Sequence, residues 1–253
     1  MIRDGTVSEL GSIRELLIAA NDYPYDIGIV SDQKVFGRGV SGAPHVRVFE
    51  DRIAICGVAV TCGRYLRILA VDREHRGRGI GTALLDDSGA TAIAAEPGNY
   101  FTPGVLDPAF FLKRGYREIG RTWNLHAEIR DSYESRNSNP ESRISMLTFI
   151  ERHFGAAWRF EAERAAIAHY VPDVGFAVAE ANNKGLGTFG PMGIGRKHRG
   201  RGVGRQLLLA CLADLRRLGY TRAVIPWAAS IDFYRRACGA EPAHELVALG
   251  KSL

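Results

Sequence analysis

The sequence predicts an α/β (α+β) fold made of two similar domains in tandem. The first observation is a repeat: the heptapeptide His-Arg-Gly-Arg-Gly-Ile-Gly at His75–Gly81 returns, with Val in place of Ile, at His198–Gly204. The offset of 123 residues (198 − 75) is close to half of the 253-residue chain and indicates a duplicated domain rather than a solenoid. The second observation is that apolar runs flank both copies, which predicts the order strand, glycine turn, helix.

Before the first copy, the spacing of apolar residues predicts a short strand and a helix over residues 2–20 and, later, an antiparallel pair of strands. The pair covers Val46–Val48 and Ile53–Thr61, and the irregular stretch Asn21–Pro44 before it is a candidate substrate-facing loop. The elements predicted beyond the pair are a strand at Tyr65–Val71, a helix ending near Asp86–Gly89, strands at Thr91–Ala94, Tyr116–Ile119 and Trp123–Glu128, and a helix at Phe110–Arg114.

A polar, Ser- and Asn-rich stretch, Asp131–Ser142, predicts a linker between an N-terminal domain (1–130) and a C-terminal domain (143–253). In the second half, the helical spacing of leucines predicts a long amphipathic helix over Val203–Leu218. The other elements predicted there are helices at Ile144–Phe154, Trp158–His169 and Ser230–Cys238, and strands at Phe176–Ala179, Thr188–Ile194, Ala223–Pro226 and Leu246–Leu249.

Both glycine turns have the chemistry of a phosphate-binding loop. Helices usually begin with a Ser, Thr, Asp or Asn side chain that caps the backbone N–H groups, whereas glycine leaves those donors open to a ligand. Arginine near a helix N-terminus opposes the helix dipole, and a bound anion would remove both anomalies. The glycines are Gly77, Gly79, Gly81, Gly200, Gly202 and Gly204, and the arginines are Arg76, Arg78, Arg199, Arg201 and Arg205.

The spacing within the turns selects one kind of phosphate loop. A P-loop needs Gly-Lys-Ser/Thr and a dinucleotide fingerprint needs a further glycine, but Thr82 and Arg205 occupy the deciding positions. The pattern that fits is Arg-x-x-Gly-x-Gly, which resembles the pyrophosphate loop of the GNAT superfamily of acetyl-CoA-dependent N-acetyltransferases. The resemblance implies that each domain is a mixed, mostly antiparallel twisted sheet flanked by helices. It also implies acetyl-CoA as co-substrate.

The same resemblance predicts which residues hold acetyl-CoA, because in the family the strand before the loop pairs with the pantetheine arm and the loop holds the diphosphate. The residues so assigned in the C-terminal copy are Met192, Gly193, Ile194, Arg199, Gly200, Arg201, Gly202, Val203 and Gly204. Their counterparts in the N-terminal copy, where binding is left open, are Leu69, Ala70, Val71, Arg76, Gly77, Arg78, Gly79, Ile80 and Gly81. The second half has fewer predicted strands before its loop than a full family member, so we expect it to borrow sheet or packing from the first half.

A second landmark of the repeat, Phe110–Phe111, returns 123 residues later (233 − 110) as Phe233–Tyr234. It resembles the family's late helix, whose tyrosine protonates the departing thiolate, a step that a phenol performs only when it is positioned in advance. Phe111 has no hydroxyl, so we predict Tyr234 as the catalytic acid, the C-terminal domain as catalytic and the N-terminal domain as degenerate. The general base is not identified, and its candidates are Glu161, Glu163, Glu180 and Asp232.

The residues do not name the acceptor. The tandem arrangement is similar to that of glucosamine/glucosaminide acetyltransferases and mycothiol synthase, which by analogy favours a small-molecule primary amine such as an amino sugar. Two alternatives stay open: a non-catalytic CoA-binding regulatory or scaffolding protein, and a protein-lysine acetyltransferase. We expect a monomer or a homodimer.

Composition limits the other classes of function. The net charge of +5 and the pI near 9.1 are only mildly basic, and part of the surplus lies in the two loops, so no nucleic-acid partner is expected. The polar N-terminus and the short apolar runs predict neither a secretory signal nor a membrane span. The four cysteines show no ligand spacing with the histidines, so no metal is expected and a reduced cytoplasmic setting fits best.

Overall fold

The computed structural model describes residues 1–23, 32–52, 54–94, 96–133 and 143–252. The chain forms two compact units: unit 1 consists of Met1–Arg121 together with Leu246–Leu253, and unit 2 consists of Thr122–Glu245. None of the helices in the described ranges has the length and apolar character that a bilayer crossing requires.

Helices and strands follow the order that the repeat predicts, since each glycine turn lies between a strand and a helix. The strands are β1 (Ile2–Asp4), β2 (Pro44–Asp51), β3 (Ala54–Cys62), β4 (Tyr65–Val71), β5 (Ala92–Ile93), β6 (Arg117–Glu128), β7 (Ile167–Val171), β8 (Gly175–Ala179), β9 (Phe189–Ile194), β10 (Arg222–Ala228) and β11 (Glu241–Gly250). The helices are α1 (Leu10–Ala19), α2 (Asp32–Val35), α3 (Ile80–Ser88), α4 (Ala109–Leu112), α5 (Arg143–Phe154), α6 (Ala156–Ala162), α7 (Val203–Arg217) and α8 (Ile231–Cys238).

Unit 1 contains a mixed sheet in the order β1-β2-β3-β4-β5-β11. Its neighbouring strands are antiparallel except β4 and β5, which run parallel and pair only at Tyr65–Ala92 and Leu66–Ile93. Val58 and Val60 of β3 pack in one apolar cluster with α1, whereas Ala59 packs in another with α3. Because successive residues of a strand point to opposite faces, the two helices cover opposite faces of the sheet.

Unit 2 contains an antiparallel set, β7-β8-β9, and a second pairing in which β10 runs antiparallel to the part of β6 from Thr122 onward. The helix α7 buries Leu208, Leu212 and Leu215 completely, at the spacing of one helical face, against the core of this unit. The helices α5 and α6 pack on the opposite face of β8, around Phe176. The helices of each unit therefore flank mostly antiparallel strands, which confirms the predicted fold class.

One predicted helix is wrong. The range Trp158–His169 was expected to be helical throughout, but α6 ends at Ala162 and β7 begins at Ile167. Short apolar runs fit a helix and a buried strand equally well, and here pairing with β8 decides in favour of the strand. The extra strand gives unit 2 three strands before its loop, and unit 2 also includes Thr122–Glu128 from the first half of the chain.

Several strands are longer than predicted, including β2, which was expected at Val46–Val48 and spans Pro44–Asp51. The segments Tyr116–Ile119 and Trp123–Glu128 were expected to be separate strands, but β6 continues from Arg117 to Glu128. The last strand begins at Glu241 rather than at Leu246. Backbone hydrogen bonds hold a strand together whatever its side chains, so polar ends are invisible to a search for apolar residues.

Most of the predicted linker, from residue 134 to Ser142, lies outside the described residues, as do residues 24–31 of the candidate substrate-facing loop. The limits predicted for the two domains stay a prediction. By packing, the last residues of the chain, Leu246–Leu253, belong with unit 1.

The strand β9 is packed tightly against an aromatic cluster at Gly193. A Cβ atom at this position would lie 2.5 Å from the ring carbon Cζ of Phe154, well inside van der Waals contact. Phe154 stacks on Trp158 with ring centroids 5.2 Å apart and meets Phe176 edge-on at 5.5 Å. Because the ring is held on two sides, this position requires glycine for packing.

We expect Gly193→Ala to lower the free energy of unfolding by about 1–3 kcal/mol, the usual effect of overpacking a closed site. The matched control is Gly195→Ala, because a Cβ there has only ordinary contacts, the nearest at 3.4 Å from the Val174 carbonyl oxygen. That variant should be as stable as the wild type or slightly more so. Urea unfolding followed by circular dichroism measures both, and equal stability of the two variants would contradict the packing role of Gly193.

Candidate functional site

The two glycine turns share one backbone conformation. Gly77 and Gly79 have φ of 77° and 82°, and Gly200 and Gly202 have φ of 78° and 80°. In this left-handed region a side chain is strained, so the conformation requires glycine. A Cβ atom at any of the four would meet nothing within 4 Å, which leaves open space beside each turn.

The N-terminus of α7 is suited to bind an anion. Its N-cap is Gly202, and no side chain caps the first turn, so the first N–H groups of this 15-residue helix are open to a ligand. The side chains of Arg201 and Arg205 are exposed beside them. Open amides, the helix dipole and two guanidinium groups together favour a diphosphate at this turn.

The first arginine of each motif braces its own loop. The Nε atom of Arg76 donates a hydrogen bond to the carbonyl oxygen of Val71, and that of Arg199 to the carbonyl oxygen of Ile194, both at 3.1 Å. Arg76 also pairs with Asp22, at 2.9 Å between Nη1 and Oδ2. These contacts tie each turn to the preceding strand, and direct contact of either arginine with acetyl-CoA stays a prediction.

The strand β9 presents backbone groups on its free side. It is the edge of its set of strands, and the N–H group of Gly195 just beyond it donates to the carbonyl of Val174 at 2.8 Å. Since bonded and non-bonded pairs alternate along an antiparallel ladder, the N–H groups of Met192 and Ile194 point away from β8. Of the three predicted strand contacts, these two can therefore meet a ligand through their amides, whereas Gly193 faces β8.

A gap opens between β9 and β10 in unit 2. The two strands start side by side: Thr188 forms a parallel bridge with Val224, whose N–H group donates to the carbonyl of Gly187 at 3.0 Å. Beyond this bridge β9 continues with β8, and β10 continues with β6. Beyond the bridge, no strand of the described residues pairs with these facing edges, which can therefore pair with a ligand.

A bulge in β9 lies beside the gap. The partners of β8 and β9 change from Ala177–Met192 to Ala179–Phe189, so one residue of β8 faces two residues of β9. One of those two is Gly190, whose φ is 119° and whose missing Cβ would meet nothing within 4 Å. No side chain of this residue blocks the gap.

The corresponding bulge in unit 1 is filled by Arg67. The partners of β3 and β4 change from Val60–Ile68 to Thr61–Leu66, which leaves Arg67 as the extra residue. Its place in the repeat (67 + 123) is that of Gly190. Both bulges lie on the strand before the loop, and the residue at this position is arginine in unit 1 and glycine in unit 2.

The Arg67 side chain spans the space beyond β4 and β5. It is fully buried and forms a two-pronged ion pair with the equally buried Glu96, with 3.0 Å between Nη2 and Oε1. Its Nη1 atom donates to the carbonyl oxygens of Lys34 and Gly37, both at 3.0 Å. The place that is open at Gly190 in unit 2 is therefore occupied by a buried salt bridge in unit 1.

Tyr234 lies where the gap of unit 2 begins. Its ring packs edge-on against Phe189, the first residue of β9, with 6.2 Å between centroids, and against Phe233 at 5.0 Å. Burial, with a smaller effect of Cys238, raises the pKa of Tyr234 to about 12. The phenol therefore keeps its proton at neutral pH, as a general acid must.

The equivalent residue in unit 1, Phe111, is a core side chain. It is buried and packs edge-on against Phe110 and Tyr116, with 5.1 Å and 5.9 Å between centroids.

The surroundings of the third glycine of each motif match between the units. A Cβ on Gly81 would lie 3.5 Å from the Phe110 ring, and one on Gly204 would lie 3.6 Å from the Phe233 ring.

Glu180, a candidate base, organises the turn between β8 and β9 instead. Its Oε1 atom accepts the N–H group of Thr188 at 2.8 Å, and Oε2 accepts the N–H group of Gly185 at 2.5 Å and the hydroxyl of Tyr220 at 2.9 Å. With both oxygens engaged, it is poorly placed to take a proton from a substrate. Of the other candidates, Glu161 is buried in α6, Glu163 is exposed, and Asp232 is exposed and pairs with Arg235.

Sequence reasoning missed three residues: Gly190 beside the gap, Arg67 at the equivalent position of unit 1, and His126 on the strand next to β10. The repeat offset aligns Arg67 with Gly190, so the first two could have been compared from the sequence. Their meaning, however, depends on the bulge, which only the strand register shows. No sequence signal distinguishes His126, because its position depends on the pairing of β6 with β10.

Solved structures share this fold. The GCN5-related glucosamine N-acetyltransferase region of a fungal multi-domain GH3 beta-N-acetylglucosaminidase matches with a TM-score of 0.72 and 17% identity, over 98% of this chain but only 38% of that longer one. A tandem GNAT protein from the clavulanic acid biosynthesis pathway matches with a TM-score of 0.68 and 16% identity, over 98% of this chain and 97% of its own. A GNAT family acetyltransferase from Colwellia psychrerythraea matches with a TM-score of 0.65 and 14% identity, over 100% of both chains. At these identities the likeness shows the fold alone.

No curated protein sequence matches this chain significantly. Two family models do match: the acetyltransferase (GNAT) family over residues 126–240, and the acetyltransferase (GNAT) domain over residues 43–118. Each match contains one of the two glycine turns, and together the matches cover most of the chain. The chain belongs to the GNAT acetyltransferase family and carries two GNAT domains in tandem.

Proposed function

We propose that the C-terminal GNAT domain transfers the acetyl group of acetyl-CoA to the primary amine of a small molecule, and that the N-terminal domain is not catalytic. One observation carries this proposal. At equivalent bulges the C-terminal domain has Gly190, beside which the gap is open, whereas the N-terminal domain has Arg67 paired with Glu96. A ligand that pairs with the free edge of β9 needs that gap, because it adds to the edge as another strand would.

The residues at the C-terminal turn fit the diphosphate of coenzyme A. Gly200 and Gly202 leave room beside the turn, and the uncapped start of α7 offers amide donors. When bound, acetyl-CoA supplies the activated acetyl group and a thiolate leaving group. The chain's own residues then bind the diphosphate, orient the thioester along β9 and provide the proton for the sulfur.

The roles along the gap follow from position. The amides of Met192 and Ile194 point into it and can hold the arm of the co-substrate or a carbonyl oxygen placed there. Tyr234 lies where the gap begins and, with a pKa raised to about 12 by burial, holds its proton until a forming thiolate takes it.

For the acceptor we propose a small primary amine such as an amino sugar. The support is the tandem arrangement and one fungal neighbour of like fold, which is described as a glucosamine N-acetyltransferase region. Thiol release from acetyl-CoA with glucosamine, compared with a lysine peptide, separates a small acceptor from a protein acceptor. Binding of acetyl-CoA without thiol release would favour a regulatory protein instead.

We propose the cytoplasm as the setting. All four cysteines are free and buried, as expected where thiols stay reduced.

The Gly202→Ala variant should bind acetyl-CoA at least about tenfold more weakly, because the added Cβ strains a left-handed residue and enters the space of the diphosphate. The matched control is Gly79→Ala, with nearly the same φ (82° against 80°) and equally open surroundings. Calorimetry should give one site per wild-type chain and an unchanged affinity for the control. Two sites per chain, or equal weakening in both variants, would contradict binding by the C-terminal domain alone.

The Tyr234→Phe variant should lose kcat by roughly 10²- to 10⁴-fold, because it keeps the ring and removes the proton donor. Its affinity for acetyl-CoA should change little. The pKa of Tyr234 is about 12, so at pH 9, about three pH units lower, the phenol stays protonated. Ionisation of this residue should therefore cause no loss of wild-type activity at pH 9 or below.

The control for Tyr234 uses the other domain. Adding Phe111→Tyr to the Tyr234→Phe variant supplies a hydroxyl at the equivalent position of the N-terminal domain, yet it should not restore turnover while Arg67 fills the bulge there. An unchanged kcat in Tyr234→Phe would remove this tyrosine from the mechanism.

A further inference from the structure

A histidine lies on β6, the strand next to β10, near the point where the gap begins. His126 in β6 is directly opposite Val224 of β10, and Val224 forms the bridge to Thr188 at which β9 and β10 separate. The next residue of β9 after that bridge is Phe189, the residue against which Tyr234 packs. Along the strand direction, His126 and Tyr234 therefore both lie near the bridge at which β9 and β10 separate.

His126 and Tyr234 lie on opposite faces of these strands. Leu125 and Ala127 of β6 belong to the apolar core against which Tyr234 packs. Because successive side chains of a strand alternate, His126 between them projects from the other face. At this point along the strands, the phenol of Tyr234 thus lies on one face and the imidazole of His126 on the other.

The surroundings of His126 keep its imidazole neutral. Burial lowers its pKa below the usual 6.5, and the positive charge of Arg222 on β10 and the neighbouring His244 on β11 lower it further, while Glu128 on β6 acts in the opposite sense. The His244 ring lies 5.4 Å away, centroid to centroid, and its own pKa is lowered by burial and by Arg222. At neutral pH His126 is therefore an unprotonated base.

One ring nitrogen of His126 is left without a hydrogen bond by the described part of the chain. Its Nε2 atom is buried and has no hydrogen-bond partner among the described residues. Buried polar atoms are nearly always paired, so an unpaired one suggests a group that binds or reacts there. Glu180 differs from His126 in this respect, because both of its carboxylate oxygens already accept hydrogen bonds within the protein.

We propose that His126 takes the proton that the acceptor's ammonium group must lose before its nitrogen attacks the thioester, an inference that rests on the proposed function. The nitrogen then bonds to the acyl carbon, the carbon–sulfur bond breaks, and Tyr234 gives its proton to the sulfur. The second proton of the amine returns to the Tyr234 oxygen, and His126 releases its proton to solvent. Ammonium and thioester thus become amide, thiol and one proton.

The test is the pH dependence of kcat/KM for His126→Gln, measured with acetyl-CoA and the best amine of the thiol-release panel. Wild-type kcat/KM should fall as the pH drops through the pKa of His126, below about 6.5. The variant should lose roughly 10²-fold at neutral pH and should lack this acid limb, with its affinity for acetyl-CoA unchanged by calorimetry. Free imidazole should restore part of the activity of His126→Gly, which a merely structural role would not allow.

The control variant is His153→Gln, an exposed histidine on α5 of the same unit, which should keep the wild-type profile. If His126→Gln keeps the wild-type rate and acid limb, or if imidazole restores nothing in a folded His126→Gly protein, the inference is overturned and the proposed function stands. If the wild type binds acetyl-CoA but acetylates no amine, the proposed function fails and this inference fails with it.

Discussion

The separation of β9 from β10 after a single bridge is the constraint on which the rest of the site depends. A free strand edge is normally a liability, because its unpaired N–H and C=O groups invite pairing with another chain. Here the edge of β9 faces β10 after their single bridge, and Gly190 at the bulge adds no side chain there. The roles proposed for the glycine turn, Tyr234 and His126 all depend on where each of them lies with respect to this gap.

The two domains share the backbone conformation of the glycine turn but carry different residues at the bulge of the preceding strand. The φ angles of the left-handed glycines agree between the copies (77° and 82° against 78° and 80°), and the hydrogen bonds of Arg76 and Arg199 to the preceding strand are both 3.1 Å long. The difference lies at the bulge, where Arg67 and Glu96 form a buried ion pair. Removing one partner of such a pair leaves an unpaired buried charge, which is costly. Exchanging Arg67 alone would therefore leave Glu96 buried without this partner.

The parts of this molecule that the sequence predicts well are those encoded locally. The glycine turns could be predicted because glycine and helix-capping chemistry act within a few residues, and α7 because its leucines recur at helical spacing. The extent of β6 and β11, the existence of β7 and the bulges depend on partners distant in sequence. The roles proposed for Gly190 and His126 rest on that register, so neither could be suggested before the strands were paired.

The assignment of Leu246–Leu253 to unit 1 has a consequence for biosynthesis. Val247 and Leu249 belong to the same apolar core as Ile93 and Phe111, and Val247 pairs with Val105 through two backbone hydrogen bonds of 2.9 Å. Domains generally fold in the order in which the ribosome delivers them. In this chain unit 1 cannot complete its core until Val247 and Leu249 have been translated, which happens only after the whole of unit 2 (Thr122–Glu245) has been made.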